Sequence, residues 1–248
     1  MENAALESSS DINAAGLPAR AAVLDILSEV LIRKRPLDDV LEVSTQFAAL
    51  PPRDRGFARM ATATTLRRLG QIDDIIRRTS ERGALPEQPL LANILRLGIA
   101  QLLFMDVPDH AAVDTMVTLA ENNGLSRQKG FVNAVLRRVG REGKDWLAKQ
   151  DPVRLNTPEW LMKIWIADYG LRGAADIAQT HLSEAALDFT LKNPDQSERW
   201  AKDLNAVVLP TGSLRRAEGG DVRSLVGFDE GAWWVQDAAA AMPAKLFG

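Results

Sequence analysis

The sequence predicts an all-α domain over residues 18–142 followed, from residue 158, by a small α+β segment, and three observations predict it. Apolar residues recur at three-and-four spacing in one segment after another up to Val139, the pattern of helices that each bury one face. Proline and glycine punctuate these segments at short intervals, so consecutive helices are joined tightly enough to pack as neighbours. The period then drops to two, where Leu187, Phe189 and Leu191 alternate with Asp188, Thr190 and Lys192, the mark of a strand.

Taken in order, residues 1–17 are polar and aperiodic and read as a disordered tail. Pro18 suits the start of a helix whose face is Val23, Ile26, Leu27, Val30 and Leu31, with Arg20 on the opposite side. Arg33, Lys34 and Arg35 close it, where cations favour the negative helix end, and Pro36 stops it. A helix over 38–49 packs Val40, Leu41 and Phe47. The next begins at Pro51-Pro52, turns Phe57, Met60 and Ala61 inward, and ends on Gly70 as a glycine stop. Residues 71–82 hold Ile72, Ile75 and Ile76 inward, and 83–89 form a loop.

The chain is organised around the helix that follows. Leu91, Ile94, Leu95, Ile99 and Leu102 form a wide stripe, and Gly98 lies on it where another helix can approach closely. Val113, Met116, Val117 and Ala120 make the next helix, with Asp109 as N-cap and Gly124 as C-terminal stop. A third helix turns Phe131, Val132, Val135, Leu136 and Val139 inward. At about 100° per residue its other half collects Arg127, Lys129, Asn133, Arg137, Arg138 and Arg141, with Gly130 and Ala134 leaving the backbone open among them. Both a solvated polar face and a face that meets RNA phosphates fit that pattern.

Residues 143–157 read as a linker on which Trp146 and Leu147 dock. Helices over 159–170 (Leu161, Ile164 and Trp165 inward) and 174–181 precede the strand at 187–191. A helix around Trp200 and Leu204, a strand at 207–209, a strand at 233–235 with Trp233 and Trp234 on opposite faces, and an apolar helix from Ala238 to Phe247 complete the segment at 158–248.

Composition narrows the chemistry. The 248 residues, 46% hydrophobic and 25% charged, have room for one large or two ordinary domains. There is no cysteine, which excludes disulfides, zinc-thiolate sites and a cysteine nucleophile. No apolar run reaches the roughly 18 residues that span a bilayer, and the first residues lack the basic and apolar regions of a signal peptide, so the expected address is the cytoplasm and no membrane partner is expected. Residues 18–141 carry 18 Lys+Arg against 14 Asp+Glu, and residues 142–248 carry 12 against 16, which places the positive excess where nucleic acid would meet the first domain. His110 and His181 stand alone at helical spacing and read as structural; no catalytic, cofactor-binding or metal-binding residue is assigned.

Several motifs carry a resemblance. The runs Asp54-Arg55-Gly56-Phe57-Ala58, Asn93-Ile94-Leu95-Arg96-Leu97-Gly98, Asp106-Val107-Pro108 with His110-Ala111-Ala112-Val113, and Gly130-Phe131-Val132-Asn133-Ala134-Val135-Leu136-Arg137-Arg138 resemble the NusB-like RNA-binding domain. More closely, they resemble that domain as it opens the Sun/RsmB family of ribosomal RNA (cytosine-C5) methyltransferases. Pro158-Glu159-Trp160-Leu161, Tyr169-Gly170 and Gly227-Phe228-Asp229-Glu230-Gly231 through Ala240 continue the likeness, which extends roughly from Pro18 to Phe247. It implies a NusB-like helical domain, then an RRM-like α+β segment, then a helix leading toward a Rossmann-like methyltransferase domain on which that helix would dock. It further implies 16S or precursor small-subunit ribosomal RNA as partner, with Arg20, Arg127, Lys129, Asn133, Arg137 and Arg138 as candidate RNA contacts.

The departures bear on chemistry. The family uses S-adenosylmethionine bound at a glycine-rich loop, and two cysteines that attack the base and release the product; here there is no thiol, and Gly219-Gly220 reads as a turn. Lys192-Asn193-Pro194 replaces the usual ending of the first strand. These residues alone are therefore expected to hold no cofactor and to transfer no methyl group, leaving RNA binding for a catalytic domain they do not include. The alternatives are a free-standing NusB-like module in transcription antitermination or ribosome assembly, and a truncated product without function.

Overall fold

A computed structural model describes residues 16–217 and 222–246. The expected tail lies outside the described residues as far as residue 15, as do Gly219, Gly220, Asp221 and Phe247. The chain forms two compact units, one ending at Leu182 and one beginning at Ser183. The break thus falls some 25 residues beyond the predicted linker, because the helices expected after it pack with those before it.

The first unit runs α1 (Leu17–Leu31), α2 (Leu37–Val43), α3 (Thr45–Ala48), α4 (Pro52–Arg67), α5 (Leu69–Thr79), α6 (Pro89–Phe104), α7 (Asp109–Asn122), α8 (Lys129–Leu147), α9 (Pro152–Asn156) and α10 (Glu159–Thr180). Helix α6 is the centre: Leu91 to Leu95 and Leu97 to Leu102 are all buried, so it is covered on every side, by α1, α4, α5, α7 and α8. Gly98 has the predicted role. A Cβ there would stand 2.7 Å from Leu136 Cδ2 and 3.1 Å from Met116 Cγ, so the absence of a side chain lets α8 and α7 close on α6. Gly124, at φ +76°, terminates α7 as expected: Leu125 N–H donates to Ala120 O at 2.9 Å and Gly124 N–H to Glu121 O at 3.2 Å.

Elsewhere the structure corrects the sequence reading. The helix expected over 38–49 is two short ones, because Ser44 leaves the helical region and its Oγ accepts from the Phe47 N–H at 3.2 Å. Asp109 is the first residue of α7 rather than its cap, where its charge suits the helix dipole. Met60 and Ile164, expected inward, are exposed.

Gly70 does not stop a helix; it lies inside α5, where a Cβ would come within 1.7 Å of the Leu155 carbonyl oxygen. Helix α9 is pressed onto α5 at this point and held by amides. Gln71 N–H donates to Asn156 Oδ1 at 3.1 Å, and Asn156 Nδ2 returns a bond to Gln71 Oε1 at 2.9 Å. Gln150 Nε2 donates to Gln71 O at 3.0 Å and Asp74 Oδ2 at 2.8 Å. Arg68 completes the cluster, donating to Gln71 Oε1 at 3.1 Å and to Leu182 O at 3.0 Å. Residues 143–157 are thus built into the bundle. Helix α10 breaks at Gly170, φ +71°, which separates the two helices the sequence predicts there.

The second unit comprises β1 (Leu187–Leu191), α11 (Ser197–Asp203), β2 (Val207–Val208), β3 (Leu214–Arg216), β4 (Trp233–Val235) and α12 (Ala238–Lys245). The sheet order is β2-β3-β1-β4, with every described pair antiparallel. One face and α11 enclose Phe189, Leu191, Trp200, Leu204, Leu214 and Trp233, the rings of Phe189 and Trp233 meeting edge-on at 4.7 Å. Trp233 is buried and Trp234 exposed, as the alternation predicts. On the opposite face Asp188 is buried and takes two 2.7 Å bonds from Arg215, plus the Ala238 N–H at 3.0 Å. The Arg215 hydrogen bonds hold its carboxyl below the usual carboxylate range.

The two glycine environments make a stability test. Gly70→Ala is expected to cost about 1–3 kcal/mol by overpacking, whereas Gly56→Ala, at an exposed helical site with nothing near its Cβ, leaves stability unchanged or raises it by about 0.5–1 kcal/mol. Urea unfolding monitored by circular dichroism reads both.

Candidate nucleic-acid interface

Helix α8 divides lengthwise into two chemistries. Val132, Val135, Leu136, Val139 and Gly143 are buried against α6 and its neighbours, which fixes the rotation of the helix about its axis. Lys129, Gly130, Ala134, Arg137, Arg138 and Arg141 of the helix are exposed, as is Arg127 in the turn Ser126–Gln128 that leads into it. From Arg127 to Arg141 there are five cations and no acid. Nothing lies within 4 Å of where a Gly130 Cβ would be, so the backbone is open as the sequence suggests.

Two of the cations form exposed ion pairs and three do not. Arg137 Nε donates to Asn133 Oδ1 at 2.9 Å, which orients the guanidinium without cancelling its charge. Arg138 reaches Glu142 at 3.2 Å, with its guanidinium 5.2 Å from the centre of the Trp146 ring. Lys129 Nζ meets Glu121 Oε1 at 2.7 Å. These pairs are solvent-exposed and worth roughly 0–1 kcal/mol each, so a phosphate can displace them. Arg127 and Arg141 have no ion pair among the described residues.

Phe131 departs from the expectation that it faces inward: it is 44% exposed. At about 100° per residue it lies about 90° from the centre of the stripe set by Val132, Val135, Leu136 and Val139, on the same side as Ala134 and Arg138. That angular offset was the available signal, and hydrophobicity masked it. The result is an exposed ring among cations, a surface on which a base can stack.

Arg20 is the one predicted contact that the structure removes from the surface. It is buried; its Nε donates to Gln101 Oε1 at 2.7 Å, its NH1 to Gly16 O at 3.0 Å, and its guanidinium stands 4.7 Å from the centre of the Phe57 ring. Burial lowers its pKa, against the pull of the Asp54 charge. This arginine ties α1 to α6 and α4. Of the other five predicted residues, Lys129, Asn133, Arg137 and Arg138 lie on α8 and Arg127 in the turn Ser126–Gln128 just before it.

No second chemistry assembles beside them. His110 is exposed on α7, and His181 lies edge-on to Trp165 with 5.1 Å between ring centres. Among the described residues no group of three His, Asp or Glu is placed to hold a metal, and no helix is long and apolar enough to cross a membrane. S-adenosylmethionine does not fit the described residues. The antiparallel strands deliver no glycine-rich turn from a parallel strand into a helix, and at Gly227 the Cβ side is filled by Trp200 and Trp233, at 2.6 and 2.7 Å.

Residues 17–141, from the start of α1 to the last cation of this face, match the family model described as the NusB family. The chain belongs to the NusB family. Over a stretch that includes the NusB region and runs past it, the chain is 31% identical over 248 residues to a probable ribosomal RNA small subunit methyltransferase B of Synechocystis, a match taking in 93% of this chain and 55% of the relative. A putative methyltransferase of Mycobacterium tuberculosis is 33% identical over 217 residues, 85% of this chain and 45% of the relative. The Sun/RsmB resemblance read in the motifs is thus borne out over most of the sequence. The chain spans about half the length of these relatives. In fold it is similar to the crystal structure of PH0851, with a TM-score of 0.61 at 16% identity over 94% of this chain and 55% of that one.

The buried and exposed arginines separate in a stability measurement. Arg20→Ala is expected to cost about 2 kcal/mol through its lost charged hydrogen bonds. Arg137→Ala is expected to change stability by less than about 0.5 kcal/mol. Comparable losses for both in urea titrations would contradict these assignments.

Proposed function

We propose that this NusB-family chain is the RNA-binding portion of a ribosomal RNA small subunit methyltransferase of the B type. It works in the cytoplasm and holds 16S ribosomal RNA or its precursor while a cytosine is methylated at C5. Chemistry at the base belongs, in this reading, to a region outside these 248 residues, which would bring the S-adenosylmethionine and the thiols. The chain's own residues bind and orient: Arg127, Lys129, Arg137 and Arg138 take phosphates, Asn133 holds Arg137, and Phe131 stacks an unpaired base.

One observation carries the proposal. Four exposed cations lie on a helix whose other half is fixed in the core, a fifth, Arg127, lies in the turn that leads into it, no acid intervenes, and an exposed aromatic ring stands among them. The relatives' names supply the ribosomal RNA and the methyl transfer; the cytosine C5 target rests on the motif resemblance. They favour this reading over a free-standing antitermination module, because the likeness runs well past residue 141.

Binding to a small-subunit ribosomal RNA hairpin, followed by fluorescence anisotropy at several salt concentrations, tests it. Arg137→Ala with Arg138→Ala is expected to weaken binding about ten-fold and to reduce the salt slope by about 1–2. Phe131→Ala is expected to cost about 1–3 kcal/mol with the salt slope unchanged. Unaltered affinity in both variants would refute the assignment.

A further inference from the structure

Helix α4 carries a basic face of its own. Five arginines and one acid, Asp54, lie between Pro52 and Arg68. At about 100° per residue Arg53, Gly56, Arg59, Met60, Ala63 and Arg67 fall within about 120° of one another, while Ala58, Ala61, Thr62 and Thr65 are buried on the opposite side and Asp54 lies with them. Arg53, Gly56, Arg59 and Met60 are exposed, and nothing stands within 4 Å of where a Gly56 Cβ would be. The side chains of Arg53, Arg59 and Arg67 make no hydrogen bond or ion pair among the described residues; the Arg59 guanidinium rests 5.6 Å from the centre of the Phe47 ring.

This face leads to a cleft. Arg67, about 21 Å along the helix from Arg53, lines a cavity of about 200 Å³ with Thr157, Leu161, Trp165, His181 and Leu182. The rings of Trp165 and His181 meet edge-on there, and the Thr157 hydroxyl has no hydrogen bond among the described residues. Beside Arg67, Arg68 is fixed by its bonds to Gln71 Oε1 and Leu182 O; burial, and after it the Arg67 charge, lower its pKa, and no carboxylate is paired with either arginine. Pockets that enclose a drug-sized ligand span about 300–1,000 Å³, so this one admits a single flat ring system and no complete cofactor. A row of arginines that ends at a ring-lined cleft suits a single strand, whose phosphates follow the cations and whose unstacked bases can enter; a duplex keeps its bases stacked inside the helix.

We propose that the α4 face from Arg53 to Arg67 and the cleft of Trp165 and His181 bind single-stranded RNA, with phosphates along Arg53, Arg59 and Arg67 and one base in the cleft, where Thr157 meets its polar edge. This rests on reading the chain as an RNA-binding protein. It adds to the α8 face a second site on the same bundle, since α4 and α8 both pack on α6. An RNA that engages both faces is fixed in orientation as well as in place.

Fluorescence anisotropy with a labelled single-stranded RNA of about ten nucleotides, measured in a chain already carrying Arg137→Ala and Arg138→Ala, tests this without reliance on α8. The single strand should bind several-fold more tightly than a duplex of the same sequence; equal affinity would leave a surface that reads charge alone and overturn the proposal. Arg59→Ala with Arg67→Ala should weaken the single strand about ten-fold and reduce the salt slope by about 1.4, at about 0.7 for each phosphate contact. Thr157→Val, which keeps the side-chain volume, and His181→Ala should each weaken binding several-fold with the salt slope unchanged, while circular dichroism reads the same helix content as the parent. Unchanged affinity in these variants would overturn the proposal. So would saturable, Arg67-dependent binding of a nucleoside monophosphate by a chain that does not retain the single strand, which would make the cleft a small-molecule site. An unaltered hairpin affinity on changing Arg137 and Arg138 would refute the α8 reading while leaving these comparisons intact, so the two claims fail separately.

Discussion

The burial of α6 on all sides between Leu91 and Leu102, with Arg96 alone partly exposed, is the constraint on which the first unit depends. A helix covered on every side needs neighbours at close range, and Gly98 permits this by leaving room for Leu136 and Met116. Leu136 belongs to the buried half of α8. The same contact that closes the core therefore fixes which half of α8 is left for solvent, and the basic face is a consequence of core packing.

A second constraint joins the rest of the first unit to this core. The carbonyl of Leu155 occupies the space where a Gly70 side chain would be, and Gln71, Gln150 and Asn156 exchange hydrogen bonds around it. Most of these amides are partly buried and satisfied by one another, an arrangement whose geometry is more demanding than hydrophobic contact. It explains why the compact unit continues to Leu182 although the family match stops at residue 141. In the second unit Asp188 has a comparable position, joining β1, β3 and the first turn of α12 through one carboxylate.

Much of this was legible in the sequence because periodicity reports burial. The stripe of α6, the role of Gly98, the stop at Gly124, the break at Gly170 and the alternation of β1 all follow from spacing and residue type. What was hidden depends on long-range contacts. Gly70 has the same local signature whether it ends a helix or admits a carbonyl 85 residues later in the chain. Arg20 looks like a surface cation until Gln101 and Phe57 are brought beside it. β3 has too few residues for a period to register. Four of the six predicted RNA contacts share one helix, with Arg127 in the turn before it, and helical geometry is local; Phe131 was missed because its hydrophobicity argued for the core while its angle placed it outside.

Ultraviolet cross-linking of the chain to small-subunit ribosomal RNA, with the linked peptides read by mass spectrometry, tests the central claim most directly. Cross-links concentrated at Phe131 and between Arg127 and Arg141 are the expected result. Cross-links confined to other elements, with α8 unmodified, would contradict the claim that this face of α8 holds the RNA.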